Sequence, residues 1–155
     1  MDGLIGEDHD PETHLIPNVL RAAKGEIGPL TVFGRDYPTP DGTCIRDYVH
    51  VEDLARAHVN ALNYLREGGT SFSCNLGTGK GASVRQVIDT AESVTGKQVP
   101  VEYGERREGD PPELVADSSL AKQVLSWEPQ ITDIRQIIET AWAWMNGPGG
   151  GKYRE

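Results

Sequence analysis

The feature that most limits this chain is the spacing of its β-prone runs. Leu30–Phe33, Phe72–Leu76 and Val99–Tyr103 are short and lie far apart, separated by helical or turn-rich stretches. A doubly wound parallel sheet needs regular βαβαβ alternation, with a nearly continuous apolar run for each central strand. That alternation is missing. An α+β arrangement fits instead, or a piece of a larger α/β protein. The 155 residues suit one domain, which at that size buries roughly 68–70% of its unfolded surface.

Four amphipathic segments supply the helices. Leu15 to Ala23 has apolar residues at helical period and is closed by Gly25. Asp53 reads as the N-cap of a helix reaching about Arg66. Its apolar face is Leu54, Ala57, Ala61, Leu62 and Leu65, with Gly68 as the stop. Ser83 and Gln86 form a capping box for a helix that turns Val84, Val87, Ile88, Ala91 and Val94 inward, ending before Gly96. The last begins near Asp133 and aligns Ile134, Ile137, Ile138, Ala141, Trp142 and Met145. A shorter helix covers Leu120 to Leu125. Pro100 marks Val99–Tyr103 as an edge strand. Asp2 to Thr13 reads as a loop, and Gly34 to Gly42 as a long turn region. The division expected is a domain over 1–146 and a flexible Gly-rich tail over 147–155.

Charge narrows the partners. The net charge is −9, with no Lys/Arg block, so nucleic acid and anionic membranes are repelled. No apolar run approaches the roughly 20 residues of a membrane helix. Cys44 and Cys74 make no CxxC, and no His/Cys/Asp/Glu grouping has metal spacing, so no metal is expected. Two free thiols fit a reducing, cytoplasmic compartment.

Three motifs bear on chemistry. Gly77-Thr-Gly-Lys-Gly-Ala82 matches the dinucleotide pattern and precedes a helix. The run before it, Phe72-Ser-Cys-Asn-Leu76, is half polar, unlike a central parallel strand, so a plain loop is the better reading. Arg106-Arg107-Glu108-Gly109-Asp110 offers guanidinium groups for a diphosphate and a carboxylate for hydroxyls, or else a solvated charged turn. In Cys44-Ile-Arg-Asp-Tyr-Val-His50, Arg46 and Asp47 can pair with each other, and His14, His50 and His58 can be ordinary structural histidines.

Taken in order, the blocks Gly6-Glu-Asp8, Glu12-Thr-His-Leu-Ile-Pro17, Leu30-Thr-Val-Phe-Gly34, Asp36-Tyr-Pro-Thr39, Arg46-Asp-Tyr-Val-His-Val51, Asn75-Leu-Gly-Thr-Gly79 and Arg106-Arg-Glu-Gly-Asp110 carry a resemblance. The chain resembles the UDP-glucose 4-epimerase family from about Gly3 to Asn146. These are extended short-chain dehydrogenases/reductases that interconvert UDP-glucose and UDP-galactose with bound NAD. The fold implied is the α+β substrate-binding lobe of a two-domain, Rossmann-type α/β enzyme, with the N-terminal dinucleotide-binding sheet largely missing.

The resemblance also implies roles. Arg46 and Arg107 would hold the diphosphate, Phe33 would lie along the uracil, and Asp110 would take ribose hydroxyls. His14 and Leu15 would sit near the phosphates or uridine, Val84 near the nucleoside, and Tyr48 in the pocket lining. Leu114 falls where the family varies a sugar-pocket wall residue. The family's catalytic Tyr-x-x-x-Lys pair is absent, since Tyr37, Tyr48, Tyr64, Tyr103 and Tyr153 lack a lysine four residues on. No catalytic or cofactor-binding residue is therefore expected here, and NAD belongs to the intact enzyme. The resemblance implies an isomerase by descent, inactive alone, with a UDP-sugar as ligand and the missing N-terminal half as partner. The family dimer uses helices of that half and is not expected. A related UDP-xylose, UDP-arabinose or UDP-glucuronate enzyme, or a non-catalytic UDP-sugar-binding module, is the alternative.

Overall fold

The computed structural model of the chain describes Gly6 and residues 8–150; the rest of the expected N-terminal loop and of the tail lies outside these. Among the described residues five helices form: α1 Leu15–Lys24, α2 Val51–Arg66, α3 Val84–Thr95, α4 Ser119–Leu125 and α5 Ile134–Met145. Five short strands accompany them: β1 Leu30–Phe33, β2 Ile45–Asp47, β3 Gly81–Ser83, β4 Val101–Gly104 and β5 Glu113–Leu114. β1 and β4 pair in parallel, with Phe33 opposite Gly104. β2 lies between antiparallel β3 and parallel β5, so Arg46 faces Ala82 on one side and Leu114 on the other.

The helix ends follow their caps. Gly25 takes the left-handed conformation past α1 at φ 75°, and its N–H closes on the Ala22 carbonyl. Both halves of the Ser83–Gln86 capping box are present, and the Asp133 side chain accepts from Arg135 N at the head of α5. α1, α3 and α5 pack together over β1, burying Val19, Leu20, Val87, Ile88, Ala91 and Ile138 with Leu30 and Val32. Each such side chain contributes about 1.5–3 kcal/mol by leaving water. A second cluster joins Ala57 of α2 to Ala121, Leu125 and Trp127.

Asp53 does not cap α2. His50 does, its ring nitrogen accepting from Glu52 N at 3.1 Å. Asp53 is instead fully buried in the first turn, where its carboxylate accepts from Gln130 N (2.9 Å) and Ile131 N (3.0 Å) and pairs with Arg56. A carboxylate looks like a cap in sequence, but here two backbone amides reach it from another part of the chain and Arg56 from its own helix. The apolar face expected on α2 is also rotated: Ala57 is buried, whereas Leu62 and Leu65 are exposed.

Phe72–Leu76 is not a strand. It is irregular chain between α2 and β3 and joins no ladder, so its period-two pattern lacks a pairing partner among the described residues. The strands β2, β3 and β5 are two or three residues long, too short for hydrophobic periodicity to reveal.

Candidate functional site

The site is built where β1, β2 and β4 end. β1 delivers Phe33, and Gly34 follows at φ 79°, its N–H bonded to Gly104 O at 2.9 Å. A Cβ on Gly34 would lie 2.6 Å from the Tyr37 ring and 2.8 Å from Arg106 Cγ, so the close approach requires glycine. The loop beyond is stitched by Tyr37 N to Gly42 O (2.9 Å) and by Asp41, which accepts from Thr43 N at 2.9 Å. Asp41 also accepts from the Ser83 hydroxyl. That fixes the Tyr37 ring in a buried position.

The loop after β4 brings two arginines onto two rings. Arg107 stacks over Phe33 at 4.0 Å, and Arg106 over Tyr37 at 4.5 Å. Arg106 also pairs with Asp36 at 2.7 Å, and this bond holds the Asp36 carboxyl below its usual range. Arg46, from β2, donates to Asp110 and to Pro111 O at 3.0 Å. The Tyr37 hydroxyl reaches Asp110 at 3.5 Å. Burial, and then the Asp110 charge, push the Tyr37 phenol and the Cys44 thiol up. Arg46, Arg107, Asp110 and Phe33 are thus drawn together, in a chain of net charge −9.

Leu114 lies beside Arg46 in the ladder and is 61% exposed, so it stands as an open wall. The other expected residues sit differently. Val84 heads α3 and is buried in the main core. Leu15 begins α1 and packs on that core, while His14 engages Glu12 at 2.9 Å and the His9 ring at 5.1 Å. Tyr48 lines a separate cleft of about 340 Å³ with Thr78, Lys80, Gln86 and Asp133. Its buried hydroxyl makes no hydrogen bond among the described residues, and burial raises its pKa. Tyr37 and Asp36 escaped the sequence reading as site residues, and Arg106 entered it only within the Arg-Arg run. The signal was present in the Asp-Tyr-Pro-Thr and Arg-Arg blocks, but nothing along the chain shows that the two meet.

The profile of the NAD dependent epimerase/dehydratase family matches residues 3–77. The UDP-glucose 4-epimerase of Streptococcus mutans is 54% identical over 143 residues, which is 92% of this chain and 43% of that protein. The chain is similar to the NAD dependent epimerase/dehydratase family over residues 3–77. Among solved structures, the UDP-glucose 4-epimerase of Brucella ovis in complex with NAD superimposes with a TM-score of 0.86 at 52% identity. It matches 91% of this chain and 43% of its own. The Bifidobacterium longum enzyme in complex with NAD+ and UDP gives 0.83 at 37% identity, over 97% of this chain and 44% of its own. The chain therefore spans less than half the length of those relatives.

The residues of the Gly-rich run do not fit a dinucleotide. The amides that a pyrophosphate would need, Thr78 N and Gly79 N, already donate to the Asp47 carboxylate at 3.0 and 3.2 Å. An anion occupies the anion's place, and no strand precedes the loop. Among the described residues no group of three or more His, Cys, Asp or Glu could hold a metal, and no helix is long and apolar enough to cross a membrane.

Proposed function

We propose that the chain is the C-terminal, UDP-sugar-binding portion of a UDP-glucose 4-epimerase, its domain running over 1–146. The observation that carries this reading is the meeting of Arg46, Arg107, Asp110 and Phe33 at the ends of β1, β2 and β4. Two guanidinium groups give bidentate donors for a diphosphate, and a half-buried cleft strengthens that attraction over open water. The Phe33 ring offers a face to the uracil, and Asp110 can accept from ribose hydroxyls once a phosphate draws Arg46 away. Leu114 takes the sugar side. Tyr48, Val84, His14 and Leu15 are assigned to the surroundings of the ligand by the family resemblance alone.

Epimerisation at C4 needs a hydride acceptor and an acid/base pair. None of the five tyrosines carries a lysine four residues on. The chain alone accordingly binds without turnover, and catalysis requires the rest of an epimerase, which holds NAD. We assign it to the cytoplasm, where the free thiols Cys44 and Cys74 stay reduced.

The test is to join the chain to the remaining part of the Streptococcus mutans relative and assay interconversion of UDP-glucose and UDP-galactose. Turnover by the joined protein and none by the chain alone supports the reading. Turnover of a UDP-pentose only would move the assignment to a related nucleotide-sugar enzyme.

A further inference from the structure

Tyr37 has a fixed ring and an unsettled hydroxyl. Its N–H donates to Gly42 O at 2.9 Å, and its carbonyl accepts from Thr39 N at 2.8 Å. The residue is 4% exposed, and the Arg106 guanidinium covers its ring at 4.5 Å from the centroid. Arg106 is itself anchored, donating to the Asp36 carboxylate at 2.7 Å and to the Asp36 carbonyl. The ring also closes on Gly34, where a Cβ would come within 2.6 Å of it. Packing accounts for the ring but not for the hydroxyl. A buried phenol ordinarily finds a partner, and among the described residues this one meets only Asp110 Oδ2, at 3.5 Å. A settled O–H···O bond is shorter, roughly 2.5–3.0 Å.

Asp110 is shared between two donors. Its Oδ1 pairs with the Arg46 guanidinium, its Oδ2 faces Tyr37, and its side chain is 27% exposed. A turn sets the backbone beneath it: Asp110 N donates to Arg107 O at 3.2 Å, and Gly109 takes a φ of 77°. The turn does not set the carboxylate plane, because the terminal torsion of an aspartate is broad. While Arg46 holds Oδ1, the ion pair fixes that torsion. A diphosphate that draws Arg46 away removes the restraint just when the carboxylate must face a ribose. The Tyr37 hydroxyl is then the donor that remains on Asp110 among the described residues.

We propose that Tyr37 is a positioning residue for ribose recognition. Its O–H shortens onto Asp110 Oδ2 as Arg46 turns to the phosphates, and so aims Oδ1 at a ribose hydroxyl. This role rests on the UDP-sugar reading above and adds to it the group that orients the carboxylate. Tyr37 suits the task in three respects. Burial, and then the Asp110 charge, push its phenol up, so it remains a donor at neutral pH. Its ring, closed in by Gly34 and Arg106, stays in place when the ion pair opens. A neutral hydroxyl also orients the carboxylate without competing for the phosphates, as a third cation would.

The experiment compares UDP with 2′,3′-dideoxyuridine 5′-diphosphate, which keeps the uracil and the diphosphate but offers no ribose hydroxyl. Calorimetry gives both dissociation constants for the parent chain, Tyr37→Phe, Asp110→Ala and the double variant. A hydrogen bond to a charged group corresponds to about ten- to hundredfold in affinity, and the parent should prefer UDP by about that factor. Tyr37→Phe keeps the ring, its stack and its packing, so its melting temperature should match the parent's. Its preference for UDP is expected to fall about fivefold or more. In the Asp110→Ala background the same change should leave the preference unaltered, because the carboxylate it acts through is gone. A preference in Tyr37→Phe equal to the parent's overturns the proposal, since a role in packing alone weakens both ligands alike. So does a preference that falls equally with and without the Asp110 carboxylate. Failure of the parent to bind either ligand overturns the UDP-sugar reading and this role with it, whereas failure of this role alone leaves UDP binding in place.

Discussion

The Arg46 guanidinium and the Asp110 carboxylate form an ion pair that joins β2 to the loop after β4, and Arg46 donates in addition to the Pro111 carbonyl at 3.0 Å. Without a ligand, the carboxylate occupies the cation that a phosphate would seek. Binding a diphosphate is then an exchange of one anion for another at Arg46.

Arg46→Ala removes one of the two charged donors. A charge-assisted hydrogen bond contributes about 1.5–3 kcal/mol, so UDP affinity is expected to fall about ten- to hundredfold. Arg46→Lys should recover only part of the loss, because a point charge does not reproduce the planar fork. Calorimetric titration with UDP checks this; equal affinity in all three proteins would remove Arg46 from the site.

Asp53 predicts a stability effect with no ligand involved. Its carboxylate satisfies the amides of Gln130 and Ile131, and its own carbonyl accepts from Trp127 Nε1 at 2.8 Å. Asp53→Ala leaves two amides and the Arg56 charge without their partner, a cost of about 3–5 kcal/mol. Asp53→Asn should also destabilise, since an NH₂ would face one of the amides. Thermal denaturation that is unchanged in both variants would contradict this account of how α2 is tied to the 127–131 segment.

His50 makes stability pH-dependent. Its Nδ1 accepts from Glu52 N at 3.1 Å, so Nε2 carries the proton and donates to Thr140 Oγ1 at 2.8 Å, while Thr140 donates onward to Ile137 O. A second proton at Nδ1 would confront the Glu52 amide. Burial is the first cause that lowers the pKa below 6.5. The unfolded chain then binds the proton more readily than the folded one. This stability is fully present above pH 6.5 and is lost as pH falls through the lower folded value. Melting temperatures should drop on acidification below that point, and His50→Asn, which keeps a cap acceptor, should flatten this part of the profile.

Gly34→Ala meets both a positive φ of 79° and contacts of 2.6 and 2.8 Å to Tyr37 and Arg106. A cost of about 1–3 kcal/mol is expected. UDP binding should weaken with it, because the two loops that carry Phe33 and Arg107 meet there. Retention of both stability and binding would show that the loops move apart freely.

Much of this architecture is readable from residues. The capping box at Ser83, the stop at Gly25 and the apolar periods of α1, α3 and α5 are local signals, and local interactions produce them. Asp53 shows where such reading stops: its role depends on amides more than seventy positions away. Leu62 and Leu65 carry a helical pattern that is correct for the helix but silent about which neighbour covers it. Phe72–Leu76 has strand alternation without a strand, because pairing is a property of two segments. Arg107 and Asp110 stood out as a charged run that could hold a diphosphate or be a solvated turn, while Phe33 and Arg46 took their roles only from a family resemblance; the convergence of all four belongs to the tertiary fold.

The most direct test of the UDP-binding site is a thermal shift titration of the chain with UDP, with NAD and Arg107→Ala as comparisons. At a hundredfold excess over the dissociation constant, a ligand stabilises by about 2.7 kcal/mol. For a domain of this size that is a rise of roughly 5–10 °C. The account predicts that rise with UDP, a markedly smaller one in Arg107→Ala, and none with NAD. An unshifted transition with UDP, or an equal shift in Arg107→Ala, would contradict it.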